Sequence, residues 1–247
     1  MLLITGSRGT LGTEIRGLFE GSCATPTSHE MDITNFISIC KTFQKTKPSI
    51  VLHLAAKTDV SWCEDPSNHR EVMDVNYEGT RNIREAADLY GVKKLIYVST
   101  DYVYEKDRGG HREGDNPKPF CFYGFSKLAG ESVISPSDLI IRTSFKPRSF
   151  FEKQGSFFGD SYTSSLFTKD LAKIIVDLIN YSDLESISGV LNIGSYRRSY
   201  YDIARKVNPQ CGVVSKESIK LPYTYPKDVS MDISKWNKVS KSLYNIN

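Results

Sequence analysis

Short apolar runs alternate with stretches of helical spacing along most of the chain. Leu2-Leu3-Ile4-Thr5 reads as a buried strand that passes through a glycine turn into a helix reaching about Phe19. Cys23 to Thr27 predicts a second strand. From Ile33 to Lys45 the apolar residues Phe36, Ile37, Cys40 and Phe43 follow the period of one helix face, and the segment stops before Pro48. Ile50-Val51-Leu52-His53-Leu54 shows almost no polar alternation, as a strand does when both its faces are covered. Asn68 to Tyr90 predicts a long helix ending at Gly91, Leu95 to Val98 a fourth strand, Phe122 to Val133 another helix and Leu139 to Ile141 a fifth strand. After Thr143 the pattern changes. Residues 145–167 are rich in Phe, Ser and Gly and carry no period. A helix over Asp170–Ile179 and a sixth strand over Val190–Ile193 follow, and from about Tyr196 the tail is mixed and polar.

Regular strand–helix alternation implies an α/β fold, a doubly wound parallel sheet with right-handed crossovers and helices on both faces. The break at 145–167 and the polar tail predict a small C-terminal lobe beside it.

Composition narrows the function classes. The 247 residues suffice for one sizeable domain with a small appendage, and 39% hydrophobic and 25% charged residues with a mean hydropathy of −0.35 fit a soluble globular chain. The net charge of +3 is scattered, with Lys41, Lys45 and Lys47 the densest cluster and no basic stripe with interleaved aromatics, so no nucleic-acid partner is expected. Five widely spaced cysteines without a CxxC pair argue against disulfides and zinc and for a reducing compartment, and four isolated histidines predict no metal. No apolar run approaches the ~20 residues of a membrane helix. The first residues read as core strand rather than leader, so a cytoplasmic protein is expected.

The first strand runs into Thr5-Gly6-Ser7-Arg8-Gly9-Thr10-Leu11-Gly12 and then a helix. Glycines at this place permit a tight turn and close approach of a pyrophosphate to a helix N-terminus, so a dinucleotide site is predicted. Residues 1–144 with 168–195 are accordingly expected to form a Rossmann-type NAD(P)-binding domain, and 145–167 with 196–247 a substrate lobe. NAD-selective sites place a carboxylate at the end of the second strand, whereas Ala24-Thr25-Pro26-Thr27-Ser28-His29 has none. Arg8 could meet a 2′-phosphate in two-pronged fashion. NADP(H) is therefore favoured, with NAD(H) still open.

Three segments, correctly spaced, resemble the extended short-chain dehydrogenases: the glycine turn; His53-Leu54-Ala55-Ala56 with Val75-Asn76-Tyr77-Glu78-Gly79-Thr80; and Tyr123-Gly124-Phe125-Ser126-Lys127. Within that group, Val98-Ser99-Thr100-Asp101-Tyr102-Val103-Tyr104 followed by YGFSKLAGE is similar to the dTDP-4-dehydrorhamnose reductase family. The likeness covers residues 1–144, resumes at Phe167–Ala172 and Gly189–Ser195, and is loose near Asp228–Trp236. It implies Thr100, Tyr123 and Lys127 as catalytic residues. It also implies cofactor contacts from Gly6, Ser7, Arg8, Gly9, Thr10, Leu11, Gly12, Asp32, Ile33, Leu54, Ala55, Ala56, Tyr123 and Lys127. Independently of the resemblance, Tyr123 and Lys127 are four apart on a helix and share a face. An ammonium there, with an oxidised nicotinamide, is expected to pull the phenol below its usual pKa of about 10.

Sister activities are separated by small differences. Dehydratases of this superfamily carry Thr-Asp-Glu, but here Thr100-Asp101-Tyr102 lacks the Glu. Epimerase-reductases place a Cys two residues after the catalytic Ser or Thr and a His later, whereas position 102 is Tyr and no histidine follows His111. What remains is a simple ketone reductase, and the resemblance implies that it is an NAD(P)H-dependent reductase of a 4-keto (deoxy)sugar nucleotide. The alternatives are a non-catalytic NADP-binding regulatory subunit and a nucleotide-sugar 4-epimerase. After Ile141-Arg142-Thr143-Ser144 this chain has Phe145-Lys146-Pro147-Arg148 where the family has a Trp and a further aromatic motif, and the segment looks shortened. Candidate substrate contacts are Asp101, Phe145 and Arg148, with Lys146 and Lys153 as further basic groups for a diphosphate. A homo-oligomer is compatible with the sequence.

Overall fold

The computed structural model describes residues 1–153 and 155–244. Its centre is a sheet of six strands: β1 (Leu2–Thr5), β2 (Cys23–Ala24), β3 (Ile50–His53), β4 (Lys94–Val98), β5 (Leu139–Thr143) and β6 (Gly189–Ile193). All pair in parallel, in the order β6-β5-β4-β3-β1-β2. Every residue of β1, β4 and β5 is buried, which explains their unbroken apolar runs. Alternate side chains feed two cores. Leu2, Ile4, Leu52 and Ile96 meet α1 (Thr10–Leu18) and α5 (Thr168–Asn180) through Ile15, Leu171 and Ile175. On the opposite face, Leu3, Val51, Leu95 and Tyr97 meet α2 (Phe36–Thr46) and α3 (Gly79–Leu89) through Ile39, Phe43, Ile83 and Ala86.

The elements differ from the sequence expectations in three places. The second strand pairs only at Cys23 and Ala24; beyond it, Pro26 lacks a ladder donor and Thr27 begins a turn closed by Glu30 and Met31. The helix expected from Ile33 starts at Phe36, because the Asn35 side chain accepts from the N–H of Ser38 and caps it. The long helix to Tyr90 is interrupted. His69–Met73 is α-helical, Asp74–Glu78 forms a π turn, and α3 continues to a stop before Gly91, whose φ is 66°. Such single π turns concentrate at functional sites. Here the turn carries buried Asn76. Its amide donates to the Lys57 carbonyl (3.0 Å) and the Ser126 hydroxyl (2.9 Å) and accepts from the Lys57 N–H (2.7 Å). Gly130 lets α4 (Phe122–Glu131) lie against it, since a Cβ there would stand 2.7 Å from the Asn76 carbonyl.

The aperiodic stretch after Thr143 is built from short pieces. Phe145–Lys146 pairs with Leu166–Phe167, Ser156–Phe158 with Gly212–Val214, and Tyr162–Thr163 with Arg198–Ser199. Phe151, Phe157, Tyr200 and Ile203 form a separate aromatic cluster. The lobe expected over 196–247 must be shortened at its end. Helix α6 (Ser234–Leu243) packs Trp236 into the core over the sheet, with Ile233, Val239 and Leu243 beside it. These four apolar residues are spread among lysines and serines, so the run reads as polar although one stripe of it is buried.

Helix α4 is tied to the sheet by a buried ion pair. Glu131 receives the Arg142 guanidinium of β5 (2.6 Å) and the Ser99 hydroxyl (2.5 Å), and Arg142 lies 4.8 Å over the Tyr104 ring. Among the described residues no helix is long and apolar enough to cross a membrane, and no cluster of candidate metal ligands occurs.

Candidate active site

The chain leaves β1 towards β2 and returns to β3 on the other side of β1. Loops after β1 and β3 therefore diverge and open a crevice at the carboxyl ends of the strands. Gly6 has φ 64°, and a Cβ on it would stand 2.6 Å from the Ala55 nitrogen; a Cβ on Gly12 would stand 2.6 Å from the Gly6 carbonyl oxygen. The two loops thus touch backbone to backbone. The Thr5 hydroxyl oxygen accepts from the N–H groups of Leu54 (3.2 Å) and Ala55 (3.1 Å) and lies 2.6 Å from His53 Nδ1. Burial, aided by the Lys127 charge, lowers the His53 pKa to about 3, so the ring is neutral. With both Thr5 lone pairs taken, its proton goes to Nδ1, and Nε2–H donates to the Thr80 hydroxyl (3.0 Å), which donates to the Asn76 carbonyl (2.8 Å). One hydrogen-bonded chain so joins the glycine turn to the π turn.

The crevice has a volume of about 1640 Å³ and extends from the glycine turn past Tyr123 to Tyr200. At one end Gly6 to Gly12 face Pro26 to His29, with Asp32 and Ile33 beside them. Arg8 is exposed at this rim. The carboxylate missing from the second strand occurs just beyond it as Glu30. That group does not line the crevice; it accepts from the Thr27 N–H at 2.7 Å, which holds its pKa below the usual range. Asp32 lines the crevice, but its carboxylate accepts from the N–H (2.9 Å) and hydroxyl (2.8 Å) of Thr34. Ile33 is buried against Gly79 and its carbonyl accepts from Asn82 (3.0 Å). Leu54, Ala55 and Ala56 form the facing wall.

At the other end, Thr100 stands just beyond β4, and Tyr123 and Lys127 project from α4. The first turn of α4 is held by Cys121, whose sulfur accepts from the Gly124 N–H (3.4 Å), and by Glu64, which accepts from Phe122 N–H (2.6 Å). The Thr100 hydroxyl donates to Asp101 (3.2 Å) and also favours the phenolate of Tyr123, but burial outweighs this and raises the Tyr123 pKa above its ordinary value. Lys127 alone does not draw the phenol down: desolvation dominates and the resting group is the neutral phenol, while the expectation of a lowered pKa concerns the site with an oxidised nicotinamide beside it. Lys127 is itself buried. Its ammonium lies 4.0 Å over the Tyr97 ring, with no ion-pair partner among the described residues, and burial lowers its pKa to about 7 against the pull of Glu131.

The proposed substrate contacts divide. Asp101 is buried beside Thr100, its pKa raised to about 7 by burial. Phe145 is half-buried and lines the crevice. Arg148 does not line it. The short helix Arg148–Lys153 turns away after Pro147, leaving Arg148 exposed and 3.4 Å from Glu152, so that of Lys146 and Arg148 it is Lys146 that lines the crevice. The Lys153 side chain lies outside the described residues.

A match to the RmlD substrate binding domain family spans residues 1–243. The chain belongs to that family. The dTDP-4-dehydrorhamnose reductase of Aggregatibacter actinomycetemcomitans is 30% identical over 186 residues, covering 72% of this chain and 61% of that protein. The dTDP-4-keto-6-deoxy-D-glucose reductase of Streptomyces niveus is 27% identical, covering 82% of this chain and 76% of that protein. Several other matched stretches span only about half of the relatives' own lengths, such as 52% and 49%. In three dimensions the match is longer. The dTDP-4-dehydrorhamnose reductase from Bacillus anthracis str. Ames, solved in complex with NADP, superposes with a TM-score of 0.87 at 26% identity, covering 99% of this chain and 97% of that chain.

Sequence reading of this family member passed over several residues that shape the site. Asn76 stood inside one of the matching segments, yet its part in holding the Lys57 loop to α4 needs the π turn to be seen. Tyr200 reaches the crevice from the polar tail, and Glu131 and Arg142 meet only once α4 lies on β5. The glycines also separate. A Cβ on Gly9, whose φ is −68°, would meet only the Gly6 carbonyl at 3.3 Å. Gly6→Ala and Gly12→Ala are thus expected to cost about 2–3 kcal/mol each from overpacking, and from positive φ at position 6, while Gly9→Ala costs under about 1 kcal/mol. Urea unfolding of the three variants checks this order; equal losses would contradict it.

Proposed function

We propose that this chain is an NADPH-dependent reductase acting on the 4-keto group of a deoxysugar nucleotide. The observation that carries the reading is the convergence of Thr100, Tyr123 and Lys127 in the same crevice as the glycine turn. The residues fit a dinucleotide: the turn leaves no room for side chains at Gly6 and Gly12, and a buried ammonium at Lys127 lacks an acceptor of its own. Bound NADPH would supply a hydride to the carbonyl carbon. Tyr123, kept as the neutral phenol by burial, gives its proton to the carbonyl oxygen, and Thr100 turns its hydroxyl proton from Asp101 to that oxygen. Lys127 holds the nicotinamide ribose hydroxyls and stabilises the phenolate left behind. Arg8, with Thr27 and Ser28 across the turn, meets the 2′-phosphate.

An intact and assembled Thr–Tyr–Lys set favours an enzyme over a regulatory subunit. Five free cysteines fit work in a reducing cytoplasm.

Incubation with NADPH and dTDP-4-keto-6-deoxyglucose, followed by loss of cofactor absorbance, tests the reaction. Tyr123→Phe is expected to lower turnover at least ~100-fold while NADPH still binds; normal turnover by this variant would sink the mechanism. For the cofactor, Arg8→Ala is expected to weaken NADPH by about 10-fold or more and NADH hardly at all, read by fluorescence titration. Equal weakening of both would remove Arg8 from the 2′-phosphate.

A further inference from the structure

Two polar groups beside Thr100 remain unused by the chemistry just described. Asp101 is 1% exposed; one carboxylate oxygen accepts from the Thr100 hydroxyl, and the other has no partner. Lys146 lies across from it, on the strand Phe145–Lys146, and is close enough for its ammonium to favour the Asp101 carboxylate. Both line the crevice, next to Tyr123. Lys146 has no ion pair and no hydrogen bond among the described residues; its stem lies near the Phe150 ring, with the ammonium 5.4 Å from the centroid. Its other charged neighbour is Asp59. A carboxylate with one unpartnered oxygen and an ammonium without a hydrogen bond among the described residues thus line one crevice, beside the Thr100 hydroxyl.

Resting on the reductase reading, we propose that Asp101 and Lys146 form a two-point clamp for the hydroxyl on the carbon next to the reacting carbonyl, and so restrict the enzyme to α-hydroxy ketones. A sugar hydroxyl satisfies both at once, donating to the free Asp101 oxygen and accepting from the Lys146 ammonium. Asp101 follows Thr100 directly and lies beside its hydroxyl, so a carbonyl oxygen that takes the Thr100 proton from Asp101 brings the neighbouring carbon towards the clamp. A ligand without that hydroxyl leaves a buried carboxylate oxygen unpaired beside a half-buried ammonium, an arrangement that discriminates between analogues. Phe145 supports the clamp by carrying Lys146 on its short strand, paired in register with Leu166–Phe167.

The test compares kcat/KM for dTDP-4-keto-6-deoxyglucose and its 3-deoxy analogue, with NADPH, in the full chain. The unaltered protein is expected to prefer the hydroxylated substrate by at least about 100-fold. Lys146→Met and Asp101→Asn should each bring that preference below about 10-fold, and the double variant should reduce it little further, because the two groups act on one hydroxyl. NADPH titration of each variant identifies loss of folding, since a merely damaged site lowers both substrates together and leaves the ratio unchanged. An unchanged ratio in a variant that binds NADPH would overturn the clamp while leaving the reductase reading intact. No turnover of either substrate by the unaltered protein would overturn both.

Discussion

The site turns on a buried ammonium, that of Lys127, left without an acceptor among the described residues. Taking a lysine charge out of water is costly unless it is paired. The carboxylate best placed to pair Lys127 is Glu131, one helical turn on, but Glu131 is engaged by Arg142 and the Ser99 hydroxyl. Lys127 is left over the face of Tyr97, a cation–π contact that compensates only in part. The same charge helps to keep His53 neutral, and neutral His53 is what lets the Thr5–His53–Thr80 chain run in one direction to the π turn. Removing the Glu131–Arg142 pair would therefore do more than weaken packing, since it would free a carboxylate for Lys127 and cancel the demand that the ribose hydroxyls are proposed to meet.

Rigidity around this charge comes from backbone contacts that glycine permits. Gly6 brings the β1 loop onto the β3 loop, Gly12 lets α1 start against Gly6 and Ser7 of the same turn, and Gly130 brings α4 onto the π turn. Asn76 then closes the ring by bonding the Lys57 backbone on one side and Ser126 on the other, one residue from Lys127. Helix α4 and the glycine turn are thus fixed to each other through the body of the fold, while the far end of the crevice is completed by residues from the later, shorter pieces, Lys146 and Tyr200.

Much of this was legible in the sequence, because it is local. Unbroken apolar runs mark β1, β3, β4 and β5; the glycine turn and the four-residue spacing of Tyr123 and Lys127 need only the chain's own neighbours. What escaped depends on distant packing. The π turn has no period of its own within an otherwise helical run, and Trp236 sits in a lysine-rich stretch whose buried stripe shows only once β6 lies beneath it. Arg148 looked like a phosphate ligand on charge alone, but Pro147 and the short helix after it point the residue to Glu152 and leave the crevice to its neighbour Lys146. The burial that raises the Tyr123 pKa in the cofactor-free site was hidden for the same reason, since charge neighbours can be read from sequence and depth of burial cannot.

The most direct test of the account is the pKa of Lys127, followed by NMR of lysine labelled at the side-chain nitrogen. The cofactor-free protein should titrate at about 7, against about 10.4 for a free lysine, and addition of NADPH should move the value upward. Between those two values the unfolded chain holds a proton that the folded one lacks, so the cofactor-free protein should also gain stability as pH rises through that window. A Lys127 that titrates near 10.4 without cofactor would mean that its charge is already satisfied, and would contradict the central claim.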